Sequence, residues 1–234
     1  HVIAVSNFVR DRLIQTAAVP EKRVTVVYNG VNTYRFSPGK PAGEDIPDLN
    51  LPEGRPLFTL VSHMIMEKGI MEFLTAAETL IRAGSKATFM LVGTGKNVAE
   101  LKQIASGMDL RGQVVFAGLR SDVESVLRIS DVFVYPSVWE EAFGLANVEA
   151  MACGLPVIST HTGGIPEVVE ENVTGWLVPP RDARALAEAM QNMAESPETM
   201  KRFGAAGRQR VLEKFDLTRQ VEETFNIYKQ TLEG

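Results

Sequence analysis

The 234-residue chain carries 24 Lys and Arg against 29 Asp and Glu, a formal charge of −5, with 45% hydrophobic and 23% charged residues. That composition excludes a disordered segment, a collagen-like repeat and a disulfide-stapled miniprotein, and it lacks the positive field that non-specific nucleic-acid binding needs. The single cysteine, Cys153, builds neither an internal disulfide nor a Cys-based metal site, which fits a reducing, cytoplasmic setting, and no apolar run approaches the roughly 18 residues of a membrane span.

The chain opens at His1, without a starting Met, directly in an apolar run, as if in the middle of a fold. Val2–Val5 reads as a strand and Asn7–Ala17 as a helix capped by Ser6 or Asn7, with Phe8, Leu13 and Ile14 as its apolar stripe. Pro20 ends that helix, and Val24–Val27 is a second strand. One strand-helix-strand unit cannot bury a core alone, so residues 1–32 are expected to be the end of a domain that lies mostly elsewhere. Pro38, Gly39, Pro41, Gly43, Pro47, Pro52 and Gly54 then crowd a stretch without periodicity, which marks 33–55 as a linker or long surface loop.

From residue 56 the chain alternates regularly. Strands are expected at Leu57–Val61, Thr88–Val92, Val114–Ala117, Val132–Tyr135, Pro156–Ser159 and Trp176–Val178. Helices are expected at Gly69–Ala83, Val98–Gly107, Asp122–Ile129, Leu145–Ala152 and near Ile165–Val169. The strands are continuous apolar runs, the pattern of strands covered on both faces, and the alternation predicts a doubly wound parallel α/β sheet over 56–214. Two helices, about Asp182–Met193 and Leu217–Leu232, finish the chain, the second within 215–234. No internal repeat is present.

Ligands of such sheets bind at loops leaving the carboxyl ends of strands. The first loop, Ser62-His63-Met64-Ile65-Met66-Glu67-Lys68-Gly69, places Lys68 at a helix start, where a cation is unfavourable unless an anion lies nearby. A phosphate is one such partner, and His63 is placed to donate to it; a solvated lysine on a turn is the plainer alternative. The second loop, Gly93-Thr94-Gly95-Lys96-Asn97, fails as a P-loop at Met90 and Asn97, and fails as a dinucleotide fingerprint at Val98. It remains a tight turn able to bring backbone to a ligand.

The third loop, from Tyr135-Pro136-Ser137 through Glu140-Glu141-Ala142-Phe143-Gly144 into the helix, is the most informative. A helical wheel groups Leu145, Val148, Met151 and Ala152 on one apolar face and sets Glu149 within about 40° of Leu145, on the edge of that face. A carboxylate there needs partners, and a ribose offers two hydroxyl donors. Glu141 precedes the helix, where free amides of Gly144 and Leu145 suit a diphosphate. Internal pairing of Glu149 and a simple helix-start role for Glu141 are the alternatives. Cys153 reads as a small core residue. The fourth loop, Thr160-His161-Thr162-Gly163-Gly164-Ile165-Pro166-Glu167, leads into a helix for which Glu167 is a helix-start acid rather than a catalyst.

Glu141 and Glu149 are separated by seven intervening residues, within Glu-Ala-Phe-Gly-Leu and Glu-Ala-Met-Ala-Cys-Gly-Leu-Pro-Val-Ile-Ser-Thr. This resembles the E-x7-E signature of the retaining glycosyltransferases of the GT-B fold, in the bacterial family called group 1 or GT4. Thr162–Val168, Gly175–Val178, Val92–Gly95 and Asn29-Gly30-Val31-Asn32 resemble the family's neighbouring segments, with Asn32 in place of an acid. The resemblance implies a donor-binding Rossmann-like domain from about Leu57, the last unit of a missing N-terminal acceptor domain in His1–Tyr28, and a final helix crossing back to that domain. It implies a nucleotide sugar as donor and a saccharide, lipid-linked or small-molecule acceptor. It also implies retention at the anomeric carbon, no metal, and contact with the inner membrane face through the missing domain.

Carried over by residue, Glu149 would meet the ribose and Glu141 the donor sugar. The amides around Phe143, Gly144 and Leu145 would lie beside sugar and diphosphate, and Lys68 would bind the diphosphate. Ser62, Gly93, Thr94 and Gly118–Arg120 would lie along the nucleotide. One departure stands out: the family's first loop carries Gly-Arg where this chain has Ser62-His63. Arginine is permanently charged and bidentate, whereas histidine changes charge near neutral pH, so help to the leaving group would either depend on pH, with His63 as a catalytic residue beside Lys68 and Glu141, or fall mainly on Lys68 and helix amides. A nucleotide-sugar-binding module without turnover is the alternative reading, and a Rossmann-type dehydrogenase is opposed by Val98.

Overall fold

The computed structural model describes residues 1–39, 46 and 49–233, so the linker positions Pro41, Gly43 and Pro47 lie outside the described residues. Two parallel strands, β1 (Val2–Ala4) and β2 (Val24–Val26), flank helix α1 (Asn7–Thr16). Ser6 is the N-cap, its hydroxyl accepting from Val9 N at 3.1 Å. No residue of α1 is buried, as expected of a unit too small for its own core.

The main body is a six-stranded, all-parallel sheet of β3 (Leu57–Val61), β4 (Thr88–Val92), β5 (Val114–Gly118), β6 (Val132–Tyr135), β7 (Val157–Thr160) and β8 (Gly175–Val178). Its spatial order is β5-β4-β3-β6-β7-β8, the doubly wound order in which the chain reverses direction between β3 and β6. Helices α2 (Ile70–Arg82), α3 (Val98–Ser106), α4 (Val123–Ile129), α5 (Leu145–Ala152), α6 (Ile165–Val168) and α7 (Ala183–Ala194) cover its faces. Central strands are buried along nearly their whole length because helices lie on both sides, which is why they read as largely apolar runs. Phe58, Phe73 and Phe89 fill one side; Phe133, Met151, Phe143 and Phe215 fill the other.

The chain ends in three helices rather than the expected two. An 18-residue helix, α8 (Pro197–Lys214), stands between α7 and α9 (Leu217–Glu233). Its Gly204 and Gly207 weaken the apolar stripe that would have revealed it, and packing explains them. A Cβ on Gly204 would lie 2.1 Å from the Gly154 carbonyl oxygen, so α8 meets the end of α5 backbone to backbone. Phe203 and Val211 bury on either side of that contact.

The stretch after β2 is fastened to the main body. Val31, Phe36 and Ile46 are buried, Arg208 donates to the carbonyls of Thr33 and Phe36, and Arg35 pairs with Glu124 at 2.9 Å. By contrast α9 buries no residue: Val221, Phe225 and Tyr228 line one exposed apolar stripe.

Candidate functional site

The reversal between β3 and β6 opens a crevice at the strands' carboxyl ends, and the first and third loops enter it. Lys68 closes a short 3₁₀ turn, Met66–Lys68, with Gly69 in the left-handed region before α2 begins. Its ammonium lies 2.6 Å from Glu141 Oε1 and 3.1 Å from the Tyr135 hydroxyl. Tyr135 donates to the same Glu141 oxygen at 3.1 Å, and Ser137 Oγ donates to it at 2.6 Å. Three donors on one oxygen make the largely buried Glu141 a fixed carboxylate. Burial, with the adjacent Glu141 charge second, pushes the Tyr135 phenol well above its ordinary range, so it stays a donor.

The main chain of Glu141 is held separately, its carbonyl accepting from Gly164 N at 2.7 Å. Three residues on, Gly144 sits at φ 89° as the N-cap of α5. Among the described residues the amides of Gly144 and Leu145 donate to no acceptor, leaving the positive end of α5 open.

Glu149 lies one turn further along α5. Among the described residues its carboxylate accepts no hydrogen bond. Burial raises its pKa above the ordinary carboxylate value, offset in part by the Arg35 guanidinium. The wheel needs one correction: Leu145 is 40% exposed, and the buried face is Asn147, Val148, Ala150, Met151 and Ala152. Leu145 and Glu149 therefore share the open side of α5, because its packing against α8 claims the other side. Asn147 is fully buried, and among the described residues neither atom of its side-chain amide has a hydrogen-bond partner.

The remaining expected residues gather a short way along the strand ends. Ser62, His63, Gly93 and Thr94, with Leu119, Arg120 and Val123, line a cleft of about 360 Å³. Gly93 N donates to Gly118 O at 2.8 Å, and at φ 135° Gly93 leaves no room for a Cβ beside the Ser62 carbonyl. The glycines of this turn thus serve loop-to-loop packing. His63 is exposed in this cleft and takes no part in the Lys68–Glu141 cluster. Phe143 turns inward: it stacks on Tyr28 at 5.8 Å and meets Phe215 edge-on at 5.6 Å, so only its backbone is available to a ligand. Cys153 is buried and its thiol is pushed up to about 12, chiefly by burial, consistent with a core residue.

Tyr135 and Ser137, which fix Glu141, were not assigned roles from sequence. Their signal was position alone, at the end of a central parallel strand. Among the described residues no group of three or more His, Cys, Asp or Glu is arranged to hold a metal ion, and no helix is long and apolar enough to cross a membrane.

A parallel sheet reversing over a Lys-Glu pair, with an open helix start beside it, is an arrangement suited to an anionic ligand at the strands' carboxyl ends. Comparison with known proteins agrees. The family described as glycosyl transferases group 1 matches residues 42–210, and glycosyltransferase family 4 matches residues 1–35. This chain belongs to the group 1 glycosyltransferases. It is 32% identical to the alpha-maltose-1-phosphate synthase of Mycolicibacterium smegmatis, over 98% of this chain and 62% of that one; it thus spans about three-fifths of such relatives. The C-terminal domain of a group 1 glycosyl transferase from Francisella tularensis superposes at TM-score 0.71 and 26% identity, covering 80% of this chain and 100% of that chain. Anabaena HepE, solved in complex with UDP and glucose, shares the fold at TM-score 0.89 and 24% identity, over 97% of this chain and 62% of its own.

Proposed function

We propose that this chain supplies the donor-binding half of a glycosyltransferase that moves a sugar from a nucleoside-diphosphate sugar to an acceptor hydroxyl, with retention at the anomeric carbon. The observation that carries this reading is Lys68 held against Glu141 beside the open amides of α5, with Glu149, whose carboxylate accepts no hydrogen bond among the described residues, one turn on. Glu149 accepts from the ribose hydroxyls; the α5 amides and Lys68 face the diphosphate; Glu141 meets the sugar. The Ser62–His63, Gly93–Thr94 and Gly118–Arg120 loops flank the nucleoside. The donor bond breaks towards an oxocarbenium-like centre, and Lys68 and the helix start stabilise the departing diphosphate without a metal. The departing phosphate then takes the proton of an acceptor attacking on the same face, so no side chain serves as a covalent nucleophile.

In this reading residues 1–32 end an acceptor domain, 33–55 link it, 56–214 bind the donor, and 215–234 return to the acceptor side. The exposed stripe of Val221, Phe225 and Tyr228 suits that return. The protein works in the cytoplasm, and the acceptor domain sets both the acceptor and any approach to the inner membrane face. UDP, bound in the Anabaena structure, is the first nucleotide to test.

The test is calorimetry and thermal shift with UDP, GDP, ADP and their glucose conjugates, followed by anomeric analysis of any product by NMR. Binding of one diphosphate with transfer in the α configuration supports the reading. Tight binding without turnover in the full-length protein would favour a binding module instead.

A further inference from the structure

Glu167, read from the sequence as an ordinary helix-start acid, does something more specific. Its carboxylate leaves its own short helix and closes the start of α1, 159 and 160 residues earlier in the chain. Oε1 accepts from Phe8 N at 2.8 Å. Oε2 accepts from Asn7 N at 2.8 Å, Asn7 Nδ2 at 2.7 Å and the Tyr28 hydroxyl at 3.0 Å. With Ser6 capping Val9 N, the first three amides of α1 are satisfied, two of them by a charge that also suits the positive helix end. Arg210 braces the other side of Glu167, donating to its carbonyl at 2.9 Å and to Val168 O at 2.9 Å.

Both groups that Glu167 holds continue to the donor loop. Ser6, beside the capped turn, donates to the Ala142 carbonyl at 2.6 Å. Tyr28 stacks on Phe143. Ala142 and Phe143 are the two residues between Glu141 and the Gly144 amide. The same α1 face, through Phe8, Arg12 and Leu13, forms one wall of a 600 Å³ cleft whose other wall is Val138–Glu140.

We propose that Glu167 is a positioning residue for transfer: one carboxylate locks α1 and Tyr28 together, and through Ser6 and Phe143 they fix the Ala142–Phe143 step that sets Glu141 relative to the open α5 amides. This rests on the glycosyltransferase reading above. The nucleoside side of the site, at Glu149 and the β3–β5 loops, lies outside this chain of contacts. The α5 amides stay fixed by the packing of α5 on α8, and Lys68 keeps its contact with Tyr135, so loss of the lock should disturb the sugar side at Glu141 and leave nucleotide affinity intact.

The experiment uses the full-length protein and its Glu167→Ala and Glu167→Gln variants. Affinities for UDP, GDP and ADP and for their glucose conjugates are measured by calorimetry, which also counts intact sites. Release of the diphosphate from each conjugate is then measured per intact site. The expected result for Glu167→Ala is diphosphate affinity within about twofold of wild type and turnover per site lowered about tenfold or more. Glu167→Gln should fall between, because its amide oxygen still accepts from one α1 amide. If Glu167→Ala does not fold, Glu167→Gln carries the test alone, with turnover lowered at least about threefold at unchanged diphosphate affinity. Unchanged turnover per site, or affinity and turnover falling in parallel, would overturn the proposal. A wild-type protein that binds none of the three diphosphates would instead remove the parent reading, and the proposal with it.

Discussion

Lys68 and Glu141, 73 residues apart in sequence, meet at 2.6 Å where the sheet reverses direction. Each answers the other's electrostatic problem: Lys68 lies near the start of α2, where a cation is disfavoured, and Glu141 is largely buried. Under the proposed function, a diphosphate arriving at the open amides of α5 would meet a lysine already anchored.

Replacing Lys68 by Ala separates phosphate binding from nucleoside binding. The variant is expected to bind a nucleoside diphosphate about tenfold or more weakly and the bare nucleoside within about twofold, read by calorimetry. Equal losses for both ligands would contradict a phosphate contact at Lys68.

Glu141→Gln leaves the lysine facing an uncharged partner in a part-buried site. Exposed pairs are worth about 0–1 kcal/mol and breaking a fully buried one costs about 3–5, so a loss near 2 kcal/mol is expected here. For a chain of this size that lowers Tm by about 4–8 °C, measurable by calorimetric scanning. An unchanged Tm would show that Lys68 swings to solvent at no cost.

Glu149 is expected to act with opposite signs on stability and binding. Burial raises its folded-state pKa, so the folded chain holds this proton more tightly than the unfolded chain. Stability is therefore lost as pH rises from the unfolded carboxylate value through the raised folded one, and the penalty is complete above it. Glu149→Gln should stabilise the ligand-free protein at pH 7, with the gain vanishing at acid pH. Glu149→Ala should weaken nucleoside diphosphate binding by about 1–3 kcal/mol through loss of charge-assisted hydrogen bonds. Denaturant melts at pH 4 and 7, with calorimetry on both variants, check the two halves.

Gly204→Ala tests the α5–α8 contact. A Cβ 2.1 Å from the Gly154 carbonyl oxygen forces the helices apart, and about 1–3 kcal/mol of destabilisation is expected from urea unfolding. Ala at Gly112, where nothing lies within 4 Å but φ is +73°, separates backbone strain from crowding.

What the sequence made legible follows from range. The central strands of 57–178 declare themselves because burial on both faces leaves them almost wholly apolar, broken only by small hydroxyl residues such as Thr59 and Ser159, and the loops at their ends follow from the fold. Glu141 and Glu149 were legible because their spacing is local, spanning one loop and the helix it opens. Tyr135 and Ser137 were not, since a donor to a carboxylate looks like any other strand-end residue until the loop folds back on it. Glu167 escaped for the same reason at longer range: its partners are the backbone amides of Asn7 and Phe8, which leave no trace in residue type. The α8 helix escaped because close packing of glycine onto a carbonyl erases the amphipathic signal it would otherwise give.

Glu141 is gripped at both ends, its carboxylate by Lys68, Tyr135 and Ser137 and its carbonyl by Gly164. Under the proposed function, a sugar hydroxyl reaching that carboxylate would have no free rotamer to quench. The ordering entropy that a mobile acid would lose on each encounter, about 1–2 kcal/mol for a glutamate, has already been spent in folding.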